Sequence, residues 1–172
     1  MSFEEKVVPL EGITILDMSA VLSGPASTML LADQGARVIK VESPEGDITR
    51  KMGVRKGSLS TAFININRGK QSLSIDLKTL EGRQIIEGLV ENSDVFVQNF
   101  RPGVIERLGL DEKSIRKLNH QVVYVSISGF GNTGPLVNSR VYDPVIQAIS
   151  GLADIQAGGS SRPKMVRTVI PD

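Results

Sequence analysis

The sequence predicts an α/β protein built on an open, mainly parallel sheet with flanking helices, and three observations carry that expectation. Short apolar and β-branched runs alternate along the chain with segments of helical pattern, and strands that alternate with helices favour parallel pairing through crossover connections. The stretch from Ile13 to Glu42 has the size and order of one βαβ unit. Helix-opening residues stand where each crossover should begin, at Pro25, Thr79 and Asp143-Pro144.

Taken in order, Ile13–Met18 is an apolar run interrupted by Asp17 and reads as a buried strand. Pro25 suits a first helical turn, and Ala26–Gln34 continues with good helix formers until Gly35 stops it. Val38–Val41 reads as the next strand. Ser43–Gly69 is polar and punctuated by glycine, a long loop with one short strand near Phe63–Ile66. Ser72–Leu77 alternates apolar and polar residues as a strand does. Thr79 then caps a helix expected to carry Ile85, Ile86, Leu89 and Val90 on one face. Asp94–Phe100 is a further strand, followed by short helices over Val104–Leu108 and Lys113–Leu118. Val122–Ser128 is the clearest β-branched run. Asp143 is expected to cap a last helix with Val145, Ile146 and Ile149 facing inward. Val166–Ile170 is a final apolar run. The sequence stops directly after it, which suggests a piece of a longer protein.

Composition narrows the chemistry. With 20 Lys and Arg against 19 Asp and Glu among 172 residues, the formal charge is +1. That balance gives no electrostatic case for nucleic acid or a membrane surface as partner. No cysteine is present, so disulfides, thiolate nucleophiles and Cys-based zinc sites are excluded. His120 is the single histidine; alone it builds neither a common zinc set nor a Ser–His–carboxylate triad, and it reads as a residue of a surface turn. We expect no metal. No run has the length of a membrane span or a signal peptide, so the expected location is cytoplasmic.

Gly129-Phe130-Gly131-Asn132-Thr133-Gly134 is formally G-x-G-x-x-G after a strand. A dinucleotide fingerprint needs a helix to open at those glycines, so that its N-terminus meets the pyrophosphate. Pro135 follows instead, and the next helix signal waits until Asp143. The first βα turn carries only Gly24; Glu42 stands where a ribose-binding acid could lie, a weak signal by itself. A glycine loop beside a ligand is the better reading. Arg37, Lys40, Lys70, Lys78, Arg101 and Arg107 fall at or near element ends. Cations there suit a phosphate-rich ligand beyond the strand C-termini, although ordinary surface charge accounts for any one of them.

Five stretches stand out: Pro9–Asp17 with Ser23-Gly24-Pro25, Leu31–Glu42 with Gly46-Asp47, Asn67-Arg68-Gly69-Lys70 with Ser72–Lys78, Asp94–Gly103 including Asn99-Phe100-Arg101-Pro102-Gly103, and Ser128–Pro135. They resemble class III CoA-transferases, the group of formyl-CoA transferase, the carnitine/crotonobetaine CoA-transferases and α-methylacyl-CoA racemase. Together they cover essentially the whole chain. The resemblance implies a Rossmann-like N-terminal CoA-binding domain over residues 1–172, the first domain of a larger fold whose two subunits interlock as a homodimer. It implies a second domain and a second glycine loop absent from this sequence, so that this piece alone should be inactive. It also implies transfer of CoA between a CoA thioester and a carboxylic acid acceptor, with CoA as substrate and no permanently bound cofactor.

Arg167-Thr168-Val169-Ile170-Pro171-Asp172 is similar to the family's nucleophile segment, which makes Asp172 the implied catalytic residue. The implied CoA contacts are Val21, Leu22, Ile75, Lys78, Asn99, Phe100, Arg107, Arg140 and Tyr142. The cations would meet phosphates, and Phe100 and Ile75 would flank the adenine or pantetheine. Racemases of the family carry a histidine where this sequence has Tyr142. A phenol is a poor base at neutral pH, so transfer is favoured over racemisation. Two alternatives stay open: an acyl-CoA racemase or epimerase on the same fold, and a non-catalytic nucleotide-binding module if the short chain is complete.

Overall fold

The structure is a computed structural model describing residues 8–57, 59–158 and 162–167. It divides into two compact units, residues 1–128 and 129–172.

The first unit is built on a five-stranded parallel sheet. Strand β1 (Thr14–Asp17) leads into helix α1 (Ser23–Asp33) and strand β2 (Arg37–Glu42). A 3₁₀ turn (Ile48–Lys51) and a small antiparallel pair, β3 (Arg55–Lys56) with β4 (Leu59–Ser60), precede helix α2 (Thr61–Asn67). Strand β5 (Gln71–Ser74), helix α3 (Leu80–Glu91) and strand β6 (Val95–Gln98) follow. Helices α4 (Val104–Arg107) and α5 (Glu112–Leu118) then lead to strand β7 (Val123–Ser126). The sheet order is β5-β2-β1-β6-β7, and every pairing is parallel. The order reverses between β1 and β6, and an open parallel sheet places its ligand crevice outside the strand C-termini at that reversal.

Side chains alternate across the sheet and so fill two cores. Leu16, Ile39, Val41 and Phe96 face Ile86, Val90, Ile105 and Ile115 on one side. Ile15, Val38 and Val97 pack with Leu31 and Ala32 of α1 on the other. Phe96 stacks on Tyr124 of the neighbouring strand, with ring centroids 5.3 Å apart, a cross-strand aromatic pair that reinforces the ladder.

Two expectations change here. Phe63–Ile66 is part of a helix, because Ser60 accepts the Phe63 N–H and caps it; Phe-Ile-Asn-Ile imitates a strand alternation that only Phe63 uses for burial. The Thr79 cap forms as expected, accepting the Gly82 N–H, but Ile85 is half exposed while Ile86 and Val90 are buried. A helix can turn only one stripe inward, and adjacent residues cannot both lie at its centre.

The second unit holds the Gly129–Gly134 loop, helix α6 (Asp143–Ile149) and helix α7 (Leu152–Ile155). Tyr142, not Asp143, is the N-cap of α6, and no side chain caps it. Val145 and Ile149 are exposed, and Gln147 is the buried residue of that helix. Of the run Val166–Ile170, residues 168–170 lie outside the described residues, and Val166 and Arg167 are not in a strand. No helix among the described residues is long and apolar enough to cross a membrane.

Replacing Ile86 with alanine should destabilise the protein by about 2–5 kcal/mol, because the cavity sits in the main core. Ile85→Ala should change stability by less than about 0.5 kcal/mol. Urea denaturation of the two variants checks the assignment of the inward stripe; equal losses would contradict it.

Candidate functional site

The loop between β1 and α1 lies at the reversal point of the sheet, and side chains from four places in the chain hold it. Ser19 donates its N–H to Asp17 Oδ1 at 3.0 Å, and its hydroxyl donates to the same oxygen. The Ser19 carbonyl accepts Lys40 Nζ. Ala20 is gripped at both ends of its backbone: Asn99 Oδ1 accepts its N–H at 2.8 Å, and Asn99 Nδ2 donates to its carbonyl at 2.7 Å. One amide side chain after β6 thus ties together the two strands between which the sheet reverses. Val21 follows with φ 69°, the only positive φ at a non-glycine among the described residues. A β-branched residue there costs on the order of 1–3 kcal/mol and persists only where its surroundings impose it. Gly24 lets α1 start close by, since a Cβ at that position would collide with the Ser19 side chain.

Beneath this loop lies a buried cluster of charge. Asp17 and Lys40 are directly paired across β1 and β2, on the face that also carries Ile15 and Val38. Asp17 Oδ2 accepts Lys70 Nζ at 2.9 Å and the Thr28 hydroxyl at 2.6 Å. The Lys70 ammonium also donates to the Pro25 carbonyl and Asn67 Oδ1, so three acceptors surround it. Lys40 pairs with Asp47 at 3.2 Å, and these four side chains are at most 2% exposed. Among the described residues every buried side-chain nitrogen and oxygen has a hydrogen-bond partner, the condition under which buried ions are tolerated.

Burial pushes the Asp17 carboxyl up, yet the Lys40 and Lys70 charges and the Ser19 and Thr28 hydroxyls outweigh it and hold its pKa below the ordinary value. Burial likewise raises Glu42, and the Arg50 hydrogen bonds, the Asp47 N–H and the charges of Arg50 and Lys40 bring it below its usual range. For Lys70 burial lowers the pKa and exceeds the pull of Asp17. Desolvation therefore opposes charge on both partners of that pair. We take the carboxylate as the firmly ionised one, because two ammonium groups and two hydroxyls converge on it.

A cleft of about 170 Å³ opens beside the loop, lined by Met18, Ala20, Ser43, Gly46, Leu77 and Phe100 among others. Its walls are mostly apolar, and its floor meets the Lys40–Asp47 pair. It can take the flat or aliphatic part of a ligand whose polar groups reach the rim.

The structure places the implied contact residues unequally. Val21, Leu22, Asn99 and Phe100 are half-buried around the β1–α1 loop and the start of the β6–α4 connection. Gln98 Oε1 accepts the Phe100 N–H at 2.8 Å. Ile75 packs in the core, and Leu77, two residues on, is the side chain that reaches the cleft. Lys78 and Arg107 are exposed cations in the first unit; Arg140 and Tyr142 are exposed in the second. Asp172 lies outside the described residues.

Lys40 and Lys70, expected among ligand-facing cations, are instead spent inside the protein. The signal that could have revealed them is the pair of charges, Asp17 and Lys40, set into two otherwise apolar strands. Glu42 is committed to Arg50 through two hydrogen bonds of 2.7 and 2.6 Å and to the Asp47 N–H. It is therefore not poised for a ribose. No helix opens at Gly129–Gly134; a Cβ at Gly129 would collide with Val141, so this glycine serves close packing of its own loop. His120 is exposed in a turn, as expected.

A parallel sheet that reverses at a pinned loop beside an apolar cleft is an open, Rossmann-like α/β fold. The chain belongs to CoA-transferase family III, whose model matches residues 10–172. It is 42% identical over 167 residues to a succinyl-CoA:glutarate CoA-transferase of Homo sapiens, covering 94% of this chain and 38% of that protein. It is 44% identical over 145 residues to an acetyl-CoA:oxalate CoA-transferase of Acetobacter aceti, covering 84% of this chain and 37% of the relative. The crystal structure of a CAIB/BAIF family protein from Brucella suis superimposes with a TM-score of 0.89 at 38% identity, over 94% of this chain and 44% of that one. The chain thus spans less than half the length of these relatives.

A carboxyl whose native pKa lies below its unfolded value contributes stability that is complete above the unfolded value, about 4, and lost as pH falls through the native one. Unfolding free energy should therefore decline below about pH 4 as Asp17 and Glu42 take up protons. Asp17→Asn should cost roughly 3–5 kcal/mol at neutral pH, by leaving buried ammonium groups underpaired, and should make the acid decline shallower. Urea titrations at neutral pH and across the acid range test this; an acid limb of unchanged slope in Asp17→Asn would refute it.

Proposed function

We propose that this chain is the CoA-binding N-terminal part of an enzyme that transfers CoA from a CoA thioester to a carboxylic acid through an aspartyl intermediate on Asp172. The observation that carries the proposal is the chain-wide match to family III CoA-transferases, and the apolar cleft at the sheet reversal supports it. In this reading Phe100 and Leu77 flank the adenine or pantetheine, and Lys78, Arg107 and Arg140 meet the phosphates. Tyr142 completes the contacts, and the full-length enzyme acts as a homodimer. The cleft takes CoA as a substrate that leaves with its acyl group exchanged.

The chemistry balances in four steps. A carboxylate oxygen of Asp172 attacks the thioester carbonyl, the C–S bond breaks, and CoA departs as a thiolate, leaving a mixed anhydride. The thiolate attacks the aspartyl carbonyl, releasing the donor acid and forming an aspartyl-CoA thioester. The acceptor carboxylate attacks that thioester and expels the thiolate again. The thiolate then attacks the acceptor carbonyl of the second anhydride, which frees Asp172 and the new acyl-CoA. Covalent catalysis divides one difficult exchange into easier ones, and backbone N–H groups of glycine loops suit the oxyanions that form. Relatives bear names built on succinyl-CoA with glutarate and on acetyl-CoA or formyl-CoA with oxalate, so short dicarboxylates are the acceptor class to assay first.

Four measurements test the proposal. Calorimetric titration of the full-length protein should give CoA binding and no NAD signal; binding of NAD alone would overturn it. Incubation with an acyl-CoA donor, trapping with hydroxylamine or borohydride and peptide mapping should place the adduct on Asp172. Asp172→Asn should lose several orders of magnitude in transfer rate. Near-normal transfer by that variant, without reversion or deamidation, would sink the mechanism. Exchange of the α-proton of a 2-methylacyl-CoA in heavy water, without acceptor and at a rate comparable to turnover, would bring the racemase reading forward despite Tyr142.

A further inference from the structure

Asp47 is bound more densely than its place at the start of a short 3₁₀ turn requires. As the cap of that turn it accepts the Thr49 N–H at 2.9 Å and the Thr49 hydroxyl at 2.8 Å. Its other oxygen pairs with Lys40 at 3.2 Å, and its own N–H is held by Glu42 at 2.9 Å. The residue is 5% exposed. In addition, both carboxylate oxygens lie 3.3–3.4 Å from the N–H of Val21, which stands at φ 69°.

The loop therefore has its polar backbone spent residue by residue. Ser19 N–H goes to Asp17 and its carbonyl to Lys40; both backbone groups of Ala20 go to Asn99; Val21 N–H goes to Asp47. At the corresponding turn of dinucleotide folds, glycine enters the left-handed region without cost. Here a valine does so, and something must supply the difference. Lys40 links the two halves of the device, since one ammonium holds both the Ser19 carbonyl and the Asp47 carboxylate.

We infer that Asp47 is a positioning residue: backed by Lys40, it holds Val21 in the left-handed conformation and so fixes the edge of the cleft at which CoA binds. The CoA part of this inference rests on the function proposed above; the loop part does not. Asp47 acts through the backbone of Val21, and the stretch of cleft wall that this fixes is the adjoining Ser19-Ala20 segment.

A double-mutant cycle in the full-length protein separates this role from simple capping or charge balance. Asp47→Ala should weaken free CoA binding by roughly ten- to a hundredfold, the range expected when a strained residue loses its restraint. Glycine needs no restraint at positive φ. Whatever Val21→Gly does by itself, the loss caused by Asp47→Ala should then shrink at least about fivefold in the Val21→Gly background. An equal loss in both backgrounds overturns the inference, because capping Thr49 and neutralising Lys40 do not depend on residue 21. Should Asp47→Ala fail to fold, amide hydrogen exchange on the unmodified protein decides instead. The Val21 N–H should exchange at least about tenfold more slowly than an unstructured amide, and free exchange at Val21 rejects the restraint. Failure of the unmodified protein to bind CoA would count against the proposed function and leave the exchange result to judge the loop.

Discussion

Four charged side chains at the C-terminal edge of the sheet are almost wholly withdrawn from water, and the crevice above them depends on their mutual pairing. Each ion taken from water costs several kcal/mol, and attraction offsets this only when geometry and hydrogen bonds are complete. Asp17 meets that condition with two hydroxyls and an ammonium in contact, and Lys70 with three oxygen acceptors. An apolar core of the same volume could be as stable. It could not reach upward to hold a loop, whereas Lys40 and Asp47 do so through the Ser19 carbonyl and the Val21 N–H.

Parallel pairing explains why the cluster forms where it does. Strands that all run one way bring their C-termini to one edge, so residues distant in sequence converge on it. Asp17, Lys40 and Asn99 come from three adjacent strand ends, with Lys70 and Asp47 supplied by the segments that flank β5 and follow β2. The same convergence leaves a cleft of mixed character, with Phe100 and Leu77 on the walls and a paired charge beneath. Such a cleft offers apolar walls to part of a ligand without exposing a bare buried ion to it.

Much of the fold was legible because its signals are local. The β-branched runs became β2, β6 and β7, and Thr79 capped α3. Where two local rules competed, the reading failed. Phe63–Ile66 alternates like a strand, but the Ser60 cap selects a helix, and Ile85 fits the helical period without fitting the stripe. The likeness to a family implied Asn99 and Phe100 as ligand contacts, and both stand beside the β1–α1 loop. It assigned no role to Asp17, Lys40 or Asp47, which hold that loop together with Asn99. Lys40 and Lys70 looked like ligand-facing cations because sequence shows charge and not depth. The register that sets Asp17 opposite Lys40 across two strands brings these charges into one buried cluster, where their ion pairs are with Lys70 and Asp47.

Gln147 shows how one side chain can hold a piece of backbone in the way a neighbouring strand would. Buried at 1% exposure, it accepts the Val166 N–H at 2.8 Å and donates to the Val166 carbonyl at 3.3 Å, while Asp143 orients its amide at 2.6 Å. Such a grip reads the backbone alone. Position 166 is consequently free to drift among residue types that keep an N–H, with proline barred, while position 147 is confined to a side chain that both gives and accepts. Mutational tolerance in this segment is thereby set far along the chain from where the variation is allowed.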